Sequence, residues 1–118
     1  MSVISELAGR PGVIAAGQYS FRGDRYTYEG NMTDEMARMA AVMCRSTSLG
    51  VHMEADMLSR LSDSTGLTPG KGWAVRGPAF SVCVMSNVFC FMQNGERAFD
   101  DTVHFMINKL RHSSNDLI

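Results

Sequence analysis

The sequence predicts an α+β domain in which helices cover both faces of a sheet of five short strands, in the order α-ββ-α-βββ-α. Three observations predict it. Residues 33–61 read as one long helix. Short runs of β-branched and aromatic residues, bounded by Gly, Asn and Pro, fall as a pair before that helix and a trio after it. The last two of those strands are apolar on both faces, so both faces need cover.

Ser2 is placed to cap a short helix that sets Val3, Ile4 and Leu7 on one face, and Gly9 and Pro11 stop it. Val13-Ile14-Ala15-Ala16 leads the first strand, which runs to about Ser20. Gly23-Asp24 marks a turn, and Tyr26-Thr27-Tyr28 returns as the second strand of an antiparallel hairpin that ends at Gly30-Asn31.

Thr33 is expected to cap the long helix, with Asp34 and Glu35 in the first turn, where the helix dipole favours negative charge. At 1.5 Å per residue this helix is about 43 Å long. Ser46 to Gly50 is its weak point, because Ser, Thr and Gly are poor helix formers, and a kink or break is expected there. Its apolar residues form more than one stripe: Met36, Ala40, Met43 and Thr47 on one, Met39, Val42, Leu49 and Met53 on its neighbour. A helix packed only on its own sheet needs one stripe about 100° wide. The extra width predicts contact with something besides that sheet.

Residues 62–72 read as a loop. Three strands follow: Trp73 to Arg76, ended by Gly77-Pro78, then Phe80 to Met85, then Val88 to Met92. A turn at Ser86-Asn87 sets Met85 opposite Val88, Val84 opposite Phe89 and Cys83 opposite Cys90. Cys83, Met85, Val88, Cys90 and Met92 then share one face, and Val82, Val84, Phe89 and Phe91 the other. After Asn94-Gly95 a last helix carries Phe99, Val103, Met106, Ile107 and Leu110 at helical spacing, with Lys109, Arg111 and His112 at its C-terminal end.

A chain of 118 residues with 45% apolar content is expected to be one globular domain, here residues 1–112 with a flexible tail at 113–118. A net charge of −1 gives no reason to expect nucleic acid or an anionic membrane as partner. No apolar run approaches the roughly 18 residues of a membrane span. The N-terminus lacks the basic and apolar regions of a secretory signal, so a cytoplasmic location is expected. Cys44, Cys83 and Cys90 match no zinc or redox spacing and fit reduced, buried thiols.

Arg10-Pro11-Gly12-Val13 opens the first strand, and Lys71-Gly72-Trp73-Ala74-Val75 is followed by Ser81-Val82-Cys83-Val84-Met85. Together with the element order, these stretches resemble the Roadblock family of dynein light chains and their prokaryotic relatives, most closely an uncharacterised prokaryotic branch. The resemblance runs from Ser2 to about Leu110. It implies a five-stranded antiparallel sheet with the long middle helix on one face and the two terminal helices on the other. It also implies a homodimer, with middle helices packed together and third strands paired across the two-fold axis. The residues this assigns to a dimer or partner interface are Met36, Met39, Met43 and Met53 of the helix and Trp73 and Val75 of the strand. Relatives act as scaffolds or as regulators of small Ras-like GTPases, not usually as enzymes.

No catalytic constellation competes with that reading. Gly66-Leu67-Thr68-Pro69-Gly70-Lys71-Gly72 superficially suggests a phosphate loop, but only three residues separate Gly66 from Gly70-Lys71, and Gly72 stands where a hydroxyl is needed. It also runs from helix to strand, the reverse of the phosphate-binding context. Cys83 and Cys90, set side by side, are either a pair of reactive thiols, as in a small-molecule sensor or sulfur-metabolism accessory protein, or two small core residues. The packing role fits better, with no Lys or His nearby in sequence. His52, His104 and His112 lie on different elements and do not suggest a metal site, and no cofactor is expected. Asn31-Met32-Thr33 matches the glycosylation triplet without the secreted context that gives it meaning. Met36, Met39, Met43, Met53 and Met57 divide evenly between two roles: ordinary core, or an adaptable interface.

Overall fold

The computed structural model describes residues 2–61, 72–94 and 98–110. Eight elements follow one another: α1 (Val3–Ala8), β1 (Val13–Tyr19), β2 (Tyr26–Gly30), α2 (Asp34–Leu61), β3 (Gly72–Arg76), β4 (Phe80–Met85), β5 (Val88–Gln93) and α3 (Ala98–Leu110). This is the predicted order. The strands form one antiparallel sheet in the order β2-β1-β5-β4-β3, so β2 and β3 are its edges.

The β4–β5 hairpin has the register read from its turn, with Cys83 opposite Cys90 and Met85 opposite Val88. Alternation then divides the two faces. Cys83, Val88, Cys90 and Met92 pack with Ile4 and Leu7 of α1 and Met106 of α3. Val84 and Phe89 pack with Tyr19 and with Ala40, Ala41 and Cys44 of α2. The long helix therefore covers one face and the two terminal helices the other, as expected.

Local chemistry sets the ends. The Ser2 hydroxyl accepts from the Ser5 amide, and the Thr33 hydroxyl accepts from the Met36 amide 3.1 Å away, so both predicted caps form. On the face that carries α1 and α3, Lys109 reaches Glu6 at 3.3 Å, and the Arg10 guanidinium lies 4.4 Å from the centre of the Phe105 ring. Gly17 is fixed by close approach: a methyl group there would lie 2.3 Å from the Phe89 ring.

The expected break in the long helix is absent. α2 runs unbroken through Ser46–Gly50 for 28 residues. Its midpoint is tied to the sheet side: the Tyr19 hydroxyl and the Trp73 indole N–H both reach the buried Ser48 hydroxyl, at 3.0 and 2.8 Å. Tertiary bonds at the weak stretch outweigh its poor propensity. Residues 62–71 and 111–118 lie outside the described residues, and with them the phosphate-loop-like stretch, Arg111, His112 and the tail.

Candidate protein interaction surface

α2 rests on the sheet through small side chains. Among its described residues, Ala37, Ala40, Ala41, Cys44 and Ser48 are the buried ones. At 100° per residue these five cluster on one side of the helix. Met39, Val42, Ser46, Leu49, Met53 and Met57 fall on the opposite side, with Met36 and Met43 beside them. That opposite side is apolar and open to solvent: Met39 is 50% exposed, Met43 63%, Met53 67% and Met57 64%. Val42 and Leu49 are exposed there as well, and Leu58, at the same angle as Ala40, is exposed near the end of the helix. Neither stripe read from the sequence faces the sheet as a whole. Of the two, only Ala40 is buried.

The sequence reading divided the methionines between core and interface, and the structure places all five on the outside. Leu58, also exposed, was not among the residues of either stripe. The signal that could have found this face is the alanine and cysteine spacing at 37, 40, 41, 44 and 48, which marks a helix lying close against a sheet.

Beside this face lies an open apolar groove of about 420 Å³, where α2 leaves part of the sheet uncovered. Met36, Met39 and Met43 line one side, and Trp73, Phe80, Val82 and Phe91 the other. Trp73 is half-buried there, its indole held by Ser48, so within one protomer it packs against α2. Val75, on the same side of edge strand β3, is 55% exposed.

The thiols are elsewhere and shielded. Cys83 and Cys90 are directly opposite one another under α1 and α3, with 3% and 0% exposure. Burial pushes the Cys83 thiol up to about 11 and those of Cys90 and Cys44 up to about 12. A thiol so shifted is almost wholly protonated at neutral pH and a poor nucleophile. His52 and His104 are exposed on separate helices, and among the described residues no group of His, Cys, Asp and Glu converges as a metal site would require. Among the described residues, no helix is long and apolar enough to cross a membrane.

A second recess lies where the turn between β1 and β2 meets α2. Arg22, Arg25, Arg38 and Arg45 line it, together with Tyr19 and Tyr26. Sequence reading gave no hint of it.

No curated protein matches this chain. One family model does, over residues 3–108, nearly the whole of the sequence, from α1 through most of α3. The chain belongs to the family described as uncharacterized conserved protein (DUF2173).

Proposed function

We propose that this protein is a non-enzymatic homodimeric interaction module of the Roadblock type, a scaffold or regulator with a small Ras-like GTPase as its implied partner class. The carrying observation is the exposed apolar face of α2. A surface helix normally turns polar residues outward, and one that is apolar on opposite sides is a helix that becomes buried on both. The methionines and leucines here form a continuous stripe along more than half of α2, of the kind that marks an interface rather than scattered surface apolarity.

The helix suggests how two copies meet. Ser46 and Gly50 sit at the middle of the outer face, and the position a Cβ would take on Gly50 has nothing within 4 Å. An antiparallel crossing centred there brings Ser46 against Gly50 of a second copy, Met43 against Met53, and Met39 against Met57. Such a contact is self-complementary, as a two-fold interface must be. Edge strand β3, with its outer hydrogen-bonding groups facing away from β4, offers a second strip for pairing. The burial of Cys83 and Cys90 weighs against the alternative, a small-molecule sensor or sulfur-handling protein working through that face.

Sedimentation equilibrium of the wild type and of Met43→Glu tests the reading. The wild type should sediment as a dimer at micromolar concentration. The variant should dissociate at least about 100-fold more readily, because a charge without a partner is forced into an apolar contact. Its circular dichroism should be unchanged, since Met43 is exposed in the protomer. A monomeric wild type, or a variant that dimerises equally well, sinks it.

A further inference from the structure

The recess at the β1–β2 turn adjoins the outer face of α2, sharing Val42 and Ser46 with it, and it is chemically unlike the rest of the molecule. Arg22 and Arg25 come from the turn, and Arg38 and Arg45 from α2 two helical turns apart. The one carboxylate in the lining is Asp24, which faces Arg22 at 3.4 Å. Four guanidinium groups against Asp24, with the Asp34 carboxylate behind the Tyr26 hydroxyl that donates to it at 3.0 Å, leave a local positive excess in a chain whose net charge is −1. The volume is about 340 Å³, and the uncharged lining includes the two tyrosines, Ala41 and Val42. That size and mixture suit a compact organic ligand.

The turn that presents these arginines is built rather than loose. The buried Ser20 hydroxyl accepts from the amides of Gly23, Asp24 and Arg25 at 3.0–3.1 Å and donates to Asp24 at 2.8 Å. Gly23 takes φ +84°, a left-handed conformation that suits glycine. Arg45 then clasps the turn to the helix, its Nε donating to the Phe21 carbonyl at 2.8 Å. That bond uses one of the five N–H donors of the guanidinium and ties it to the turn. Fixing the turn backbone and the Arg45 guanidinium beforehand removes part of the ordering cost of binding an anion.

We propose that this recess is a binding site for a small oxyanion, a phosphoryl or carboxylate group carried on a compact organic molecule. Planar guanidinium forks match both groups bidentately, and arginine is preferred over lysine where that match is used. The Tyr26 ring and Val42 take the organic part. The whole lining comes from one protomer, although Val42 and Ser46 also lie on the face proposed for dimerisation.

The test is an amide NMR titration of the full chain at constant ionic strength with inorganic phosphate, phenyl phosphate and citrate in turn. Saturable shifts confined to residues 20–26 and 38–46, with a Kd at or below about 1 mM for at least one probe, are expected. Saturation by the phosphates alone assigns a phosphoryl ligand, and saturation by citrate alone a carboxylate. Arg38→Gln, and separately Arg22→Gln with Arg25→Gln, should weaken binding by about tenfold or more. These arginines are exposed, so the variants should remain folded. Arg60→Gln, at the far end of α2, should bind as the wild type does, and Met43→Glu should retain the site whatever its oligomeric state. The proposal is overturned by shifts that do not saturate with any probe. Equal weakening in Arg60→Gln, unaltered binding in both recess variants, or loss of binding in Met43→Glu overturns it as well.

Discussion

At the scale of the residue, burial decides chemistry. Cys44, Cys83 and Cys90 differ in position, but all three are held as neutral thiols by the same desolvation. Folding raises each above the ordinary value of 9, so their contribution to stability is complete below that pH. It is lost as pH rises towards 11 and 12, because the unfolded chain gives up its protons first. Each thiol should steepen the fall by about 1.4 kcal/mol per pH unit in that window. Urea midpoints measured under reducing conditions from pH 8 to about pH 11 check this, and Cys90→Ala should flatten the slope even though it lowers the starting stability. Labelling of the native protein at neutral pH should be slow at all three sites and fast only after denaturation. Rapid native labelling of Cys83 or Cys90 would revive the thiol-based reading. Ser20 makes the same point with a hydroxyl: one buried side chain gathers three amides and turns a hairpin tip into a fixed platform for arginines.

At the scale of the element, α2 carries two conflicts between local preference and position. Gly50 lies inside a helix, where glycine is about 1 kcal/mol less favourable than alanine, and nothing within the protomer fills the space of a Cβ. Gly50→Ala should therefore raise protomer stability by about 0.5–1 kcal/mol, measured by urea unfolding in the Met43→Glu background. The same change should weaken the dimer, because it adds a methyl group at the proposed crossing. If Gly50→Ala strengthens association instead, the crossing lies elsewhere.

The second conflict explains what could and could not be read from the sequence. The order of elements and the β4–β5 register were legible, because a two-residue turn at Ser86-Asn87 decides which residues of the flanking strands face each other. The orientation of α2 was not. Reading by hydrophobicity favours methionine, valine and leucine for the core, whereas contact with the sheet was made by Ala37, Ala40, Ala41, Cys44 and Ser48. Small side chains win there because they let the helix approach a sheet face already filled by Val84 and Phe89. The arginine recess was illegible for a different reason. Arg22 and Arg25 are separated from Arg38 and Arg45 by a strand and a cap, and only the packing of the turn on α2 joins them.

At the scale of the whole molecule, the sheet has one helical layer that is finished and one that is not. α1 and α3 bury Leu7 and Met106 completely against Cys90 and Met92. α2 instead leaves its largest apolar side chains outside. Stability should therefore depend on assembly. If two copies pair through α2, the thermal midpoint should rise with protein concentration, by mass action, and Met43→Glu should remove that dependence. A midpoint independent of concentration over a hundredfold range would show that the protomer stands alone.

The alanine footing of α2 has one more consequence. The apolar surface that this helix withholds from its own sheet remains on display until a counterpart covers it. A newly made copy without a counterpart then looks, to chaperones and proteases, like a chain that has not finished folding. If two copies do pair through α2, the supply of unpaired subunits would be policed by the same stripe of methionines that joins them.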